Sequence, residues 1–581
     1  MMLVFRVVRV PLVLSFVLGV LVSSADGQDA RRRKKLIATG WDQPDSQRLP
    51  EISAEIEKRP FDGVVVQAIG AGDKKQPVSF GSAFGNQEWK REWFQPAVDR
   101  IKAARFHRPI DNFIMLNANP GNVDWFDDAG WRNIVEHWRI AAWVAKQSGC
   151  KGILFDPEPY APPHAQFSYS AQPERDRHTF DDYWAKARQR GREAVQAVAG
   201  EYPDATLFCY FMNSINATAT GQPDPRRVLR SQGYGLYPAF IDGWLDAAPP
   251  TITFVDGCES AYLFNSRQQF LEAGAQIKGP CQELVSPENR AKYRAQVQTG
   301  FGIYLDAYTN PKGSPWYIDG QGGPRVERLR ANVQNALYVA DEYVWVYGEK
   351  FRWWPTPGQR VRKETWPEAL PGCEGALGFA RDPVDYGRVE IARLKEGGKL
   401  VNLARNGDFS SDRAKSLDGV EEKYAEGRPP AGWGTWQDGK SKGTFTWDRQ
   451  VDAGGGAGGG TMAKGSARAA GVAGGCFIQS YRVKPGERYA VAALRRIEGR
   501  GDAGIRVRWQ TADGRWIAEH LDKMIFVQGT APSSPSQWFK LFGVVEVPER
   551  VGRLVILLGV SGQASPQDAA WYDNVELYQL P

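Results

Sequence analysis

Between residues 36 and 350, short apolar runs alternate with longer amphipathic segments, and this alternation restricts the chain to few architectures. Eight runs are rich in β-forming residues: 36–41, 62–69, 112–117, 152–155, 206–212, 252–255, 300–305 and 343–347. Each is short and reads as a strand. Between them, apolar positions recur at helical spacing. In 131–149, Ile134, Trp138, Ala141, Ala142 and Ala145 form one stripe, and Gly149 stands where a helix C-cap belongs. The segments 179–202 and 323–341 behave alike, the latter with Pro324 near its first turn. Alternating strands and helices predict parallel β/α units, and eight of them close a (β/α)8 TIM-type barrel. An open doubly wound sheet is the rival, but no GxGxxG or P-loop follows the first strand. A last helix around 384–395 completes a barrel domain over 36–398.

Beyond 399 the texture changes. Short β-like runs at 443–447, 476–483, 488–494, 504–510, 538–547, 553–559 and 572–578 are separated by Gly, Pro, Asp and Ser. This predicts an all-β sandwich domain over 399–581. The Gly/Ala-rich stretch 453–475 reads as a loop within it. Two domains suit 581 residues, which exceed what one core supports.

The first 27 residues read as a secretory signal peptide. Arg6 and Arg9 precede the apolar run 10–22, and Ser23-Ser24-Ala25 offers a cleavage site. The run is short for a membrane span, so the expected location is periplasmic or extracellular. Residues 28–35 read as a solvated basic tail. The formal net charge of +6 sits largely in these first 35 residues. The body is close to neutral, without the basic stripe of a nucleic-acid-binding protein. Six widely spaced cysteines and five histidines offer no metal-ligand spacing, and no cofactor for catalysis is expected. Oligomeric state is not encoded in any pattern here.

In a parallel barrel the active site lies at the C-terminal ends of the strands. Trp41 and Asp42 stand at the end of the first run, and Asn117 at the third. Asp156, Glu158 and Tyr160 follow the fourth, Tyr210 ends the fifth, and Glu259 and Tyr262 follow the sixth. Asp306 follows the seventh, and Glu349, Trp353 and Trp354 the eighth. Acids, amides and rings around one rim suit a poly- or oligosaccharide. Glycoside hydrolysis needs two carboxyl groups in different environments. Asp156 and Glu158 alternate on an extended chain and face the same way. Glu158 is then the expected proton donor, beside Asp156 as its electrostatic partner, and the second carboxylate is Glu349, Glu259 or Asp306. The competing readings are a carbohydrate-binding protein without turnover and a polysaccharide lyase.

"GILFDPEPY" (152–160) resembles the fourth-strand signature of family 18 chitinase-type enzymes, through Asp156, Glu158 and Tyr160. Leu154 stands where that family has another Asp. Glu158-Pro159 also resembles the Asn-Glu-Pro strand end of a large clan of retaining barrel glycosidases, with Pro157 in place of the Asn. "NLARNGDFS" (402–410) and "WYDNVELYQL" (571–580) resemble the opening and closing phrases of family 4 and 9 jelly-roll carbohydrate-binding modules. That resemblance implies a structural calcium, for which Asp408 and Asp573 are the matching donors. Trp433, Trp436 and Trp509 are the candidate sugar-stacking rings of this unit.

Overall fold

The computed structural model describes residues 34–581 except 122, 161–164, 355–361, 440, 454–464 and 527–536. The predicted signal peptide and most of the basic tail lie outside the described residues. Lys35 belongs to the first strand instead of the tail. Its ammonium pairs with Asp111 at 2.6 Å and Glu342 at 3.1 Å.

The first half is a parallel sheet curled into a barrel. Its strands are β1 (Lys35–Gly40), β2 (Gly63–Val66), β3 (Phe113–Asn117), β4 (Gly152–Asp156), β5 (Thr206–Cys209), β6 (Thr253–Asp256), β7 (Val297–Thr299), β8 (Phe301–Tyr304) and β9 (Tyr343–Gly348). The hydrogen-bonded order is β8-β9-β1-β2-β3-β4-β5-β6-β7. The two ends of that order, β7 and β8, are one continuous chain segment broken only at Gly300. The ring is therefore complete but for one residue, and the architecture is TIM-like. The seventh predicted run captured β8 and missed β7.

The apolar runs become strands because they are covered on both faces. All five residues of β4 are buried. The helices follow their sequence signals closely. One runs Asp128–Ser148. Its N-cap Asp127 accepts from the amides of Ala129 and Gly130 at 3.1 and 3.0 Å, and it ends at Gly149 with φ 75°. Another runs Phe180–Glu201 behind a capping box built by Thr179 and Asp182. Arg325–Val339 precedes β9, and Pro383–Glu396 ends the barrel half.

The second half contains two five-stranded antiparallel sheets sharing one core. One sheet runs β10 (Gly434–Gln437), β13 (Gly474–Arg482), β18 (Arg553–Ser561), β15 (Asp502–Gln510), β16 (Lys523–Ile525). The other runs β11 (Thr444–Asp448), β12 (Ser466–Ala470), β19 (Ala569–Leu580), β14 (Arg488–Glu498), β17 (Phe539–Glu546). Phe477, Ile505 and Leu558 from the first meet Val491, Tyr572 and Leu577 from the second. Strand β12 lies inside the stretch predicted as a loop. Its Ala467 and Ala469 are fully buried, so small side chains there serve close packing where composition alone suggested floppiness.

The two halves pack through Phe379, Tyr386, Ala490, Val544 and Leu580. A Cβ placed on Gly387 would lie 2.4 Å from Val544, so only glycine lets the last barrel helix approach this closely. Arg330 pairs with Glu546, and Arg488 with Glu327, across the junction. Among the described residues no helix is long and apolar enough to cross a membrane.

Candidate functional site

A cleft of about 1070 Å³ opens at the C-terminal ends of the barrel strands. Trp41, Asn117, Asp156, Glu158, Tyr160, Tyr210, Glu259, Tyr262 and Glu349 all line it. Its floor is an aromatic layer in which Tyr210 stacks on Trp345 with centroids 4.2 Å apart. The Tyr210 hydroxyl sits 2.7 Å from Thr39 Oγ1.

The β4 end is tightly wired. Asp156 is fully buried and accepts three hydrogen bonds. The Glu158 amide donates at 2.9 Å, the Tyr160 hydroxyl at 2.8 Å and the Asn117 amide group at 2.8 Å. Tyr160 also bonds Glu158 Oε2 at 2.6 Å. Asn119 closes the loop, donating to the Glu158 carbonyl at 3.0 Å and accepting from the Tyr160 amide at 2.9 Å. The prolines at 157 and 159 leave the amides of Glu158 and Tyr160 as the ones to satisfy, and Asp156 and Asn119 do so. Tyr160 thus ties the two carboxyl groups together while its ring remains 58% exposed to the cleft.

Burial and the Glu158 charge push the Asp156 carboxyl up to about 7, against the three donors that favour its ionised form. Glu259 is pushed up to about 8, first by burial and then by the charges of Glu158, Asp156 and Glu349. Burial likewise raises Glu349, helped by Asp306 and opposed by the Tyr304 hydroxyl and Lys350. Carboxyl groups from three strand ends therefore meet in one cleft, and Glu259 keeps its proton at neutral pH.

Three other strand-end acids, Asp42 and Asp306 among the predicted rim residues and Asp256 besides, point elsewhere. Asp42 does not line the cleft. It is buried, pairs with Arg48 at 3.0 Å and accepts from the amides of Trp353 and Trp354 at 2.7 and 3.3 Å. Asp306, also predicted to bind substrate, accepts from the amides of Glu349 and Lys350 at 2.8 and 3.2 Å and so positions Glu349. Asp256 holds the amides of Met212 and Ser214 at 3.0 and 2.9 Å. Trp353 and Trp354 are not cleft walls either. Both are 2% exposed, and Trp353 packs edge-on to Phe61 at 4.9 Å. Asp42 draws their backbone inward, which a strand-end position cannot reveal.

Other residues complete the cleft: Tyr304, Trp316, Tyr347, Gln43 and Gln67. Tyr347 follows Trp345 by two positions, the alternation that puts both on the inner face of β9. Trp316 sits in the loop after β8, where no periodic signal exists.

In the second half, Trp433 and Trp509 are buried and unavailable for stacking on sugars. Trp436 is 57% exposed. In register beside it across the outer face lie Cys476, Gly559 and Gly504. Phe526 covers Gly504, where an added Cβ would meet its ring at 2.8 Å. Two exposed rings thus flank a row of small residues. Asp573 accepts from the amides of Ala453 and Asn574 and is pushed up to about 6 by burial and by Asp452 and Asp408. Asp408 bonds the Ser410 hydroxyl at 3.0 Å. Among the described residues, no three acidic, His or Cys side chains converge as a metal site.

No protein-family model matches the sequence, and no curated protein sequence matches it. Solved structures match about a third of the chain. The enzymatically active domain of bacteriophage CBA120 tailspike protein 4 is 16% identical over 31% of this chain and 22% of its own length, at TM-score 0.22. The carbohydrate-binding module TmCBM61, solved with β-1,4-galactotriose, is 14% identical over 31% of this chain and 99% of its own, at TM-score 0.19. A cyclase from Fischerella sp. is 15% identical over 32% and 98%, at TM-score 0.21. The chain spans less than a quarter of the tailspike domain's length. At such scores these likenesses carry no functional weight, and the function must come from the cleft's own residues.

Proposed function

We propose that the barrel is a secreted glycoside hydrolase and that the sandwich, read as a jelly roll, holds the polysaccharide beside it. One observation carries the proposal. Carboxyl groups from the ends of β4, β6 and β9 meet in one aromatic-lined cleft, where burial and the Glu158 charge raise Asp156 and Glu259. Around the ring, the fourth and last strands lie opposite each other, so Glu158 and Glu349 face across the mouth with Glu259 between them. Glu259, kept protonated at neutral pH by burial and by the neighbouring carboxylates, donates the proton to the leaving glycosidic oxygen. Glu158, oriented by Tyr160, acts at the anomeric carbon directly or through a water. This exchanges the role expected for Glu158 from sequence. Asp156 is a positioning residue that fixes Glu158 and Tyr160. The rings offer faces for sugar C–H groups, and Asn117 and Gln67 offer hydrogen bonds to hydroxyls.

The test is reducing-end release from a panel of polysaccharides. Glu158→Gln keeps the shape of the side chain but cannot serve as nucleophile or base. It should lower turnover at least ~10²-fold on whichever glycan the wild type cleaves. Undiminished release by the variant refutes the assignment.

The row from Trp436 to Phe526 is the proposed glycan platform of the sandwich. Its contribution is local concentration at a polymer. Trp436→Ala should weaken retention on an insoluble glycan about tenfold and leave turnover of soluble oligosaccharides unchanged, as read by pull-down and rate assays. Calcium beside Asp408 and Asp573 is proposed as a stabiliser of the sandwich. Carboxylates suit this hard cation, but Asp573 already accepts two backbone amides, so the ion would need further oxygens from the adjoining loops.

A further inference from the structure

The charge around the cleft is lopsided. Among the described residues, Asp45, Glu51, Asp156, Glu158, Glu259 and Glu349 line it against a single cation, Arg48. Arg48 is already held by Asp42 and by the carbonyl of Trp354 at 2.7 Å. Lys350, next to Glu349, turns its ammonium to Asn310. One wall combines this acidity with rings. Between Glu259 and Glu349 stand Tyr262, Tyr304, Trp316 and Tyr347. Tyr262 stacks on Tyr304 at 5.0 Å, Trp316 meets both edge-on at 5.8 and 5.9 Å, and Tyr347 lies 6.1 Å from Tyr304.

We propose that this wall is a subsite for a sugar unit bearing a free ammonium group, so that the substrate is a glycan containing unacetylated amino sugars. The inference rests on the sugar-cleft reading above and names its substrate class. Aromatic faces carry the negative end of the ring quadrupole and attract cations. Glu349 adds a carboxyl group beside them, half-buried and crowded by Asp306, that a nearby cation would hold in its ionised form. A neutral sugar in this place would cover the acidic wall without a charge to pair with it. A uronate or sulfated sugar would add a like charge to the cluster. An ammonium group satisfies ring faces and carboxylate together.

Calorimetric binding of a glucosamine hexamer and an N-acetylglucosamine hexamer to the intact protein separates the alternatives. The two ligands differ only in charge and acetylation. The amino form should bind at least ~10-fold more tightly at low salt, with the preference shrinking at high salt. Trp316→Ala and Glu349→Gln should each reduce that ratio; Trp316 is partly exposed, so its truncation leaves the core intact. Equal or weaker binding of the amino form overturns the proposal, and so does a preference untouched by both substitutions. Cleavage of a neutral or acetylated glycan without any amino preference leaves the hydrolase standing and removes this subsite. Amino preference without cleavage of any glycan leaves the subsite and removes the hydrolase.

Discussion

Replacing Glu259 with glutamine should make the protein more heat-stable in alkaline solution while leaving its stability in acid nearly unchanged. The carboxyl rises from an ordinary 4.5 to about 8 in the folded state. Below the lower value, folded and unfolded chains are both protonated there, and the group contributes nothing to pH dependence. Between the two values the unfolded chain releases the proton and the folded chain keeps it. Stability then falls with rising pH by up to ~1.4 kcal/mol per unit. Above about pH 8 the folded group ionises as well, and the loss levels off. Its size is a few kcal/mol at most, because the neighbouring carboxyls titrate with it. Glutamine has no proton to lose. Thermal unfolding of Glu259→Gln should give a Tm several degrees above wild type at about pH 9 and a difference near zero at about pH 4. Asp156, raised to about 7 by burial and by the Glu158 charge, adds to the wild-type decline at lower pH. Parallel Tm curves for the two proteins would show that the four carboxyls do not form one cluster.

Removing Asp42 should have the opposite effect, and at every pH where it is ionised. Burial raises its carboxyl, and Arg48 and the two tryptophan amides oppose that only in part. Asp42→Ala strands a buried guanidinium and two amide groups, which also hold Trp353 and Trp354 in the core. Breaking such a pair from one side costs about 3–5 kcal/mol. Urea unfolding should show a loss of that size with little change in m. Asp42→Leu combined with Arg48→Met should recover much of it, since no charge is then left unpaired. A neutral single variant would place Asp42 in the solvent-facing rim after all.

The same comparison explains which parts of the site could be read from the chain. The barrel was legible because buried parallel strands and capped helices leave local signatures. Each predicted run lies within a few residues of an observed strand, and the Thr179 box and Gly149 mark their helix ends. Strand ends gave the positions of Asp42, Asp156, Glu158, Glu259, Asp306 and Glu349, but not their directions; Asp45 and Glu51, off the strand ends, also reach the cleft. The outcome follows side-chain length. Asp42, Asp256 and Asp306 are short and fold back onto nearby backbone amides, whereas Glu158, Glu259 and Glu349 reach into the cleft. Asp156 does both, being a floor residue that holds the Glu158 amide. Trp316 comes from a loop without periodicity and was invisible. Strand β12 was hidden because alanine and glycine signal flexibility in isolation and close packing in context.

The pH dependence of kcat/KM on a cleaved glycan, measured for wild type and Glu259→Gln together, tests the catalytic assignment most directly. The account predicts a wild-type rate that declines above about pH 8, following the proton on Glu259, and a variant slower by at least ~10²-fold that lacks this alkaline limb. A variant as fast as wild type, or one that keeps the same limb, would contradict it.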